Sequence, residues 1–504
     1  MAIRFHIYKD GKRLEAYSPV NAFMVGPESV PIPGGVSFED GQLVVPATDY
    51  AAGVSLLWPA GEVGTYQLET TRLPPLGPKE PPYILNLELA RHHLMKIVQK
   101  QEDWNLFDFA RANELNDRFR QLQAQFAEAL GMNDDPAAAA EVGDAVLAKT
   151  IALAEEIADF HADVLLAKRR QTGGMPRHVF GCRIDPQVQN QKYADVLGTS
   201  FDYAVLPIDW RQMQPEEDRF DTQAVDGWVE MLNRRRLPII GGPLVDLAEE
   251  ALPDWMFLWE HDFETFRDMA YEYVRKIATR YRRVVSIWNV IAGVHQSGTF
   301  DLTFEQMIEL TRLLVTQIKS IVPTARTLIT VRQPFGEYHA KVGGGVPPML
   351  YAEMVAQSGI NVEAFGLELE TGVPRAGSFT RNLFQLSCML DRFHALGKPL
   401  FITCLNAPGK HGVDADDLSE GTLDPAAAGM WHGPWDADRQ AAWLEAVCKL
   451  ALSKPFVESV TWGNLADIRP TVPAGGLLDD AMAPKPAFKK LQAMREHRFA
   501  NARS

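Results

Sequence analysis

From about residue 176 to the C-terminus, short apolar runs of β character alternate with amphipathic stretches at helical spacing. No other feature restricts the fold of the chain so narrowly, because it combines two hydrophobic periods in strict succession. The runs fall at residues 179–183, 203–208, 237–241, 285–290, 327–331, 364–368, 399–403 and 459–463. Parallel strands cannot be joined by tight turns and need a crossover, usually a helix. Eight strands with helices between them, over about 315 residues, predict a closed (β/α)8 TIM barrel at 176–495. Ligands of such barrels sit at the C-terminal strand ends, so a residue's position relative to a strand end decides its candidacy.

The preceding residues read differently. Residues 1–80 are rich in Gly, Pro and Val, with short alternating runs and closely spaced turn signals such as Asp10-Gly11, Gly34-Gly35 and Asp40-Gly41. That pattern predicts an all-β sandwich. Trp58 and Tyr66 are its candidate sugar-stacking platforms, with packing in the sandwich core as the favoured role. Residues 73–82 carry five prolines and predict a stiff linker. Residues 81–172 predict an α-helical hairpin or bundle, with Asp135-Pro136 as cap and first residue of a long Ala-rich helix. This segment spaces or braces the other two and offers a surface for homo-oligomers. His92 and His93 are adjacent and leave a helix on different faces, which argues against a metal pair.

The whole chain is acidic, with a net charge of −15. A nucleic acid or an anionic membrane surface needs a basic face, so both are excluded as expected partners. No apolar run is long enough for a membrane span and the N-terminal residues lack the apolar core of a signal peptide, which predicts a cytoplasmic protein. Cys182, Cys388, Cys404 and Cys448 are scattered, without the spacing of a disulfide framework or a zinc site. Neither cofactor nor metal is expected. Near the end of the sixth strand, Glu368 and Glu370 are two residues apart and share one face. Two carboxylates side by side need water, a cation or a shared proton to relieve them.

Several segments resemble glycoside hydrolase family 10, the endo-xylanases. They are Phe180-Gly181, residues 201–220 with Trp210 and Pro215, residues 238–255, residues 281–294, Phe365-Gly366-Leu367, residues 396–403, and the closing stretches around Trp462, Leu477 and Pro486. The resemblance implies the same barrel, a polysaccharide or oligosaccharide ligand, and two glutamates about 5–5.5 Å apart as acid/base and nucleophile. At the matching positions this chain has Gly293, after Ala292, and Cys404. Asn406 stands where the family has an aspartate. Asp209 and Asp246 replace a lysine and a tryptophan, and Glu368 and Glu370 replace a glutamine and a histidine. Glycine can neither donate nor accept a proton, so the family's retaining mechanism is not expected.

Two readings follow. In the first, a rebuilt acidic site acts on a β-linked glycan through Glu368, Glu370, Asp209 and Asp246, one of the two glutamates serving as acid and a carboxylate across the barrel as base or nucleophile. Trp210, Asn289, His295, Arg332, Gln333, Asn406, Trp462 and Asn464 are its candidate sugar-binding residues, with Arg183, Asp185 and Asp467 nearby. In the second, the barrel is a catalytically inactive glycan-binding or scaffold pseudoenzyme, with Trp210, Trp431, Trp435 and Trp462 stacking on sugar faces. A hard-cation site from Asp246, Glu368, Glu370 and His295 and a Cys404 nucleophile are weaker alternatives.

Overall fold

A computed structural model describes residues 2–296, 300–341 and 345–500. Its C-terminal part is a closed barrel of eight parallel staves, neighbours in the order 3-2-1-8-7-6-5-4. They are Phe180–Arg183, Tyr203–Leu206, Ile239–Gly241, Val285–Ala292, Arg326–Val331, Ala364–Glu370, Leu400–Asn406 and Val457–Trp462. The ring closes where the third strand pairs with the fourth, Gly241 opposite Trp288. The third stave resumes at Val245–Asp246, which pairs with Ile291–Ala292 and carries the acid Asp246 to the rim. Between the two halves, Gly242 has φ +111, and a Cβ there would lie 2.3 Å from the Asn289 carbonyl oxygen. Only glycine fits that approach.

The barrel interior is filled in layers. Tyr203, Val205, Ile240, Leu328, Ala364 and Phe401 form an apolar plug. Above it Thr330 bonds Asn289 at 3.1 Å, so the floor of the mouth is polar but satisfied. Each strand is followed by a helix that buries its apolar stripe against the outside of the sheet. Two of these helices, Phe304–Ile321 and Leu383–His394, start with capping boxes from Thr303/Gln306 and Asn382/Gln385, which satisfy orphan N–H groups at the first turn.

The N-terminal residues form two small sheets, and neither is built from those residues in isolation. One runs Tyr83–Ile84, Ala2–His6, Gln42–Pro46, Ser37–Glu39; the other Met430–Trp431, Gly64–Glu69, Gly53–Pro59, Phe23–Val25, Pro31–Ile32. Met430 and Trp431, from the loop after the seventh barrel strand, thus serve as the edge strand of a front sheet. Trp58 and Tyr66 are buried, in the packing role rather than as sugar platforms. The proline-rich segment is strapped down by Leu73 on Ala52 and Leu76 on Ala2, so it is not a free spacer.

Three long helices follow, Leu85–Asp103, Asn113–Gly131 and Pro136–Gln171. Asp135 caps the last by accepting the Ala138 N–H at 3.0 Å. Arg169, near its end, donates to the carbonyls of Leu452, Lys454 and Val457 at 2.7–3.1 Å. Asp391 of the barrel receives Lys100 at 3.1 Å and Trp104 at 2.9 Å. A single hydrophobic core runs through sheets, helices and barrel, so the helical segment braces the molecule. No helix among the described residues is long and apolar enough to cross a membrane.

Candidate functional site

The C-terminal strand ends open into a cavity of about 870 Å³. Asp209, Trp210, Asp246, Arg332, Gln333, Glu368, Glu370 and Asn464 all line it. Strand alternation places Glu368 and Glu370 on the inner face and buries Leu369 on the other. Their neighbours across the seventh strand are Cys404 and Asn406.

At the centre lies Arg332, which follows the fifth strand. Its guanidinium reaches the Asp246 carboxylate at 2.5 Å and brings Nε within 3.1 Å of Glu368. The Nε–H is not aligned on that oxygen for a hydrogen bond, so the second contact is a charge contact. Burial opposes the charge on Arg332, yet the two carboxylates outweigh it and hold its pKa above the ordinary value. Asp246 is pushed up by burial, against the pull of Arg332 and with the repulsion of Glu368 added. Glu370 is tied to Arg375 and accepts the Ser378 hydroxyl at 3.0 Å. The relief that two neighbouring carboxylates need is therefore supplied by a separate arginine for each.

Asp209 has no such partner. It caps the short helix Trp210–Met213 by accepting the Arg211 N–H at 3.1 Å. Burial, with the nearby Asp246 adding to it, raises its pKa to about 6. Arg183, at the end of the first strand, lines the cavity, and its side chain makes no hydrogen bond or ion pair among the described residues. Its charge is felt at Asp209 and Asp246.

Gly293, at the end of the fourth strand, has φ +67. A Cβ built there would stand 3.2 Å from Arg332 Cδ and 3.9 Å from Asp246 Oδ1. The space a side chain at 293 would enter is shared by the arginine stem and Gln296, whose Oε1 would lie 3.1 Å away. Cys404 lines the cavity, but burial, and then the charge of Glu368, push its thiol up to about 12. It stays a protonated thiol and lacks the thiolate character a nucleophile needs.

Four sequence candidates lie outside the cavity lining, and the stacking roles of four tryptophans are corrected. Trp462 is 1% exposed, with its indole N–H donated to the Gly475 carbonyl at 2.9 Å, and lies outside the cavity lining. Trp210 touches the cavity but is also 1% exposed and stacks on Tyr273 at 4.5 Å. Neither ring offers a free face to a sugar, because both bury their apolar area in the core. Trp431 and Trp435 are buried as well. Asn289 lies below the floor, bonded to Thr330. Asn406 is fully buried and spends its amide on Asn464 and Thr471 at 2.7 and 2.8 Å. His295 is fully buried, donates to the Arg332 carbonyl at 2.9 Å and stacks on Tyr351 at 5.4 Å. Burial lowers its pKa to about 4, so it steadies Arg332 from behind as a neutral ring.

Among the described residues no group of three or more His, Cys, Asp or Glu is arranged to hold a metal ion. Sequence reasoning missed Arg375 and Ser378, which set the state of Glu370. The only signal was a cation five residues beyond it.

The comparisons with known proteins bear on the same part of the chain. Residues 174–308 match the model of glycosyl hydrolase family 10. None of the curated proteins compared with the chain matches it. Among solved structures, native xylanase 10B from Thermotoga maritima is 15% identical, with a TM-score of 0.49, over 64% of this chain and 96% of that one. A GH10 structure from Paenibacillus barcinonensis is 18% identical, with a TM-score of 0.48, over 64% and 96%. Xylanase B from Clostridium stercorarium F9 is 17% identical, with a TM-score of 0.47, over 63% and 96%. Through the first four staves of its barrel, the chain resembles glycosyl hydrolase family 10.

Proposed function

We propose that the barrel mouth holds a β-linked oligosaccharide or polysaccharide segment without cleaving it by a two-glutamate double displacement. One observation carries this reading: the guanidinium of Arg332 bridges Asp246 and Glu368, while its stem, with Gln296, occupies the space in front of Gly293. A fixed, always-protonated cation there stabilises anions and supplies no transferable proton. The cavity is large enough for several sugar rings. Gln333 and Asn464 are polar side chains in its wall, although the Asn464 carbonyl oxygen is already taken by Asn406 and Thr471. Four free thiols are compatible with a cytoplasmic setting.

A second reading has its own support in Asp209. A carboxyl whose pKa is raised to about 6 is half-protonated at about that pH and keeps a protonated fraction toward neutrality, which suits a general acid. Glu368 or Asp246 would then act as the base across the mouth. Calorimetric titration of the full chain with β-1,4-linked xylohexaose, cellohexaose and mannohexaose, with chromatography of the same mixtures, separates the two. Binding expected from the first reading is saturable, weakened about tenfold by Gln333→Ala or Asn464→Ala, and leaves the oligosaccharide intact. Shortened products that vanish in Asp209→Asn would establish the second reading instead. Failure of every β-linked glycan to bind would sink both.

A further inference from the structure

A second cavity, of about 130 Å³, lies at the seam between front sheets, long helices and barrel, and shares no lining residue with the mouth. Its walls include Pro31 and Phe23 of the front sheet, Phe335 after the fifth barrel strand, and Phe384, Met389 and Phe393 of the helix Leu383–His394. An apolar cavity of about 150 Å³ is known to admit a single benzene ring, so this one has room for one six-membered ring. Its walls are mainly hydrocarbon, which excludes a strongly hydrated sugar.

Its charges are lopsided. Lys96 and Arg392 both line the cavity, and neither makes a hydrogen bond or ion pair from its side chain among the described residues. The other cation in the wall, Arg381, is committed to Glu337 and lies 3.9 Å over the Phe335 ring. Glu69 is held by Arg72 at 2.9 Å, while Glu28 lies at the exposed rim. His92 and His93 also face the space, and burial keeps both rings neutral, with pKa values lowered to about 3 and about 4. An apolar slot with two uncommitted cations beside it suits a ligand with a hydrophobic ring and a negative head.

We propose that this seam is a binding site for a small monocyclic carboxylate, the ring among Phe335, Phe384, Met389 and Phe393 and the carboxylate against Lys96 and Arg392. The inference is independent of what the barrel mouth binds. Because the walls come from all three parts of the chain, an occupant would also tie them together.

Calorimetric titration of the full chain with benzoate, benzyl alcohol and benzylamine tests it. Benzoate is expected to bind saturably, benzyl alcohol at least tenfold more weakly, and benzylamine not detectably. The double variant Lys96→Ala/Arg392→Ala, at positions that are partly or fully exposed and so spare the core, should lower benzoate affinity tenfold or more, as loss of charge-assisted contacts does. Absence of saturable benzoate binding up to about 20 mM, weaker than any specific site of this kind, would overturn the proposal. Equal affinity in the double variant would do so too.

Discussion

Replacing Arg332 with Met removes the charge and keeps most of the stem, so the effect isolates electrostatics from packing. In the native protein the guanidinium touches two carboxylates whose side chains are 10% and 23% exposed. Removing one partner of a buried ion pair costs about 3–5 kcal/mol, because the other charge stays buried and uncompensated. Thermal midpoints of domains this large fall by about 2 °C per kcal/mol, which gives a drop of about 6–10 °C at pH 8. The sign of the pH dependence is fixed. In the variant Asp246, already raised by burial, loses the cation that opposed the rise, so its folded value climbs further above the unfolded one. A carboxylate raised in this way costs stability above its folded value and ceases to do so below its ordinary value, about 4. The deficit should therefore shrink steadily as pH falls from 8 toward 4, and Asp246→Asn added to Arg332→Met should recover part of it at pH 8. Differential scanning calorimetry across that range is the assay. A drop under about 2 °C at pH 8, or one that does not change with pH, would show that water already screens the triad and that the mouth is not organised around Arg332.

Other substitutions probe separate links. Asp209 is raised to about 6 by burial, so its ionisation costs stability as pH climbs from about 4 through 6. Asp209→Asn keeps a capping oxygen and should stabilise the protein by about 1–2 kcal/mol at pH 8 and by nothing at pH 4, read from urea midpoints at the two pH values. Glu155, 6% exposed on the long helix, accepts the Leu383 N–H at 2.9 Å, the Trp431 indole N–H at 3.0 Å and His432 Nε2 at 2.6 Å. Glu155→Gln sets an NH2 group against these donors and should cost about 2–3 kcal/mol; a urea midpoint unmoved by the change would mean the staple is dispensable.

The barrel was legible because its signal is repeated. Strand positions read from apolar runs agree with the observed ones to within a few residues, since each run must bury both faces and each helix only one. The shared face of Glu368 and Glu370 followed from the period of a strand alone, and the cavity contains both. What burial does to an aromatic side chain was not legible. Trp210 and Trp462 stand near strand ends, where a platform would stand, but each ring found a deeper partner in Tyr273 or the Gly475 carbonyl. The carboxylate pairings were hidden for a different reason. Arg332 was visible as polar company at the fifth strand end, but its two acids come from the third and sixth strands, at sequence separations no local pattern encodes. For the same reason nothing in residues 1–80 announced that Met430 and Trp431 would complete one of the front sheets.

That last feature changes how the mouth should be understood. The Gln67 N–H bonds the Thr380 carbonyl at 2.9 Å, and the Gln385 amide returns a bond to Gln67 at 2.9 Å. Asn21 reaches Glu337 at 3.0 Å, and the same carboxylate accepts the Gly377 N–H at 3.0 Å. The front sheet therefore grips the segments after the fifth, sixth and seventh strands, the same segments that carry Gln333, Arg375, Ser378 and Leu418 to the cavity wall. Long strand-end loops are the mobile part of most barrels, and here three of them are clamped by backbone and buried side-chain bonds to a second sheet. Under the proposed binding role, a site held this way would lose little entropy on binding an extended ligand. The front sheets thus brace the loops that form the cavity wall, while the wall itself is built from barrel residues.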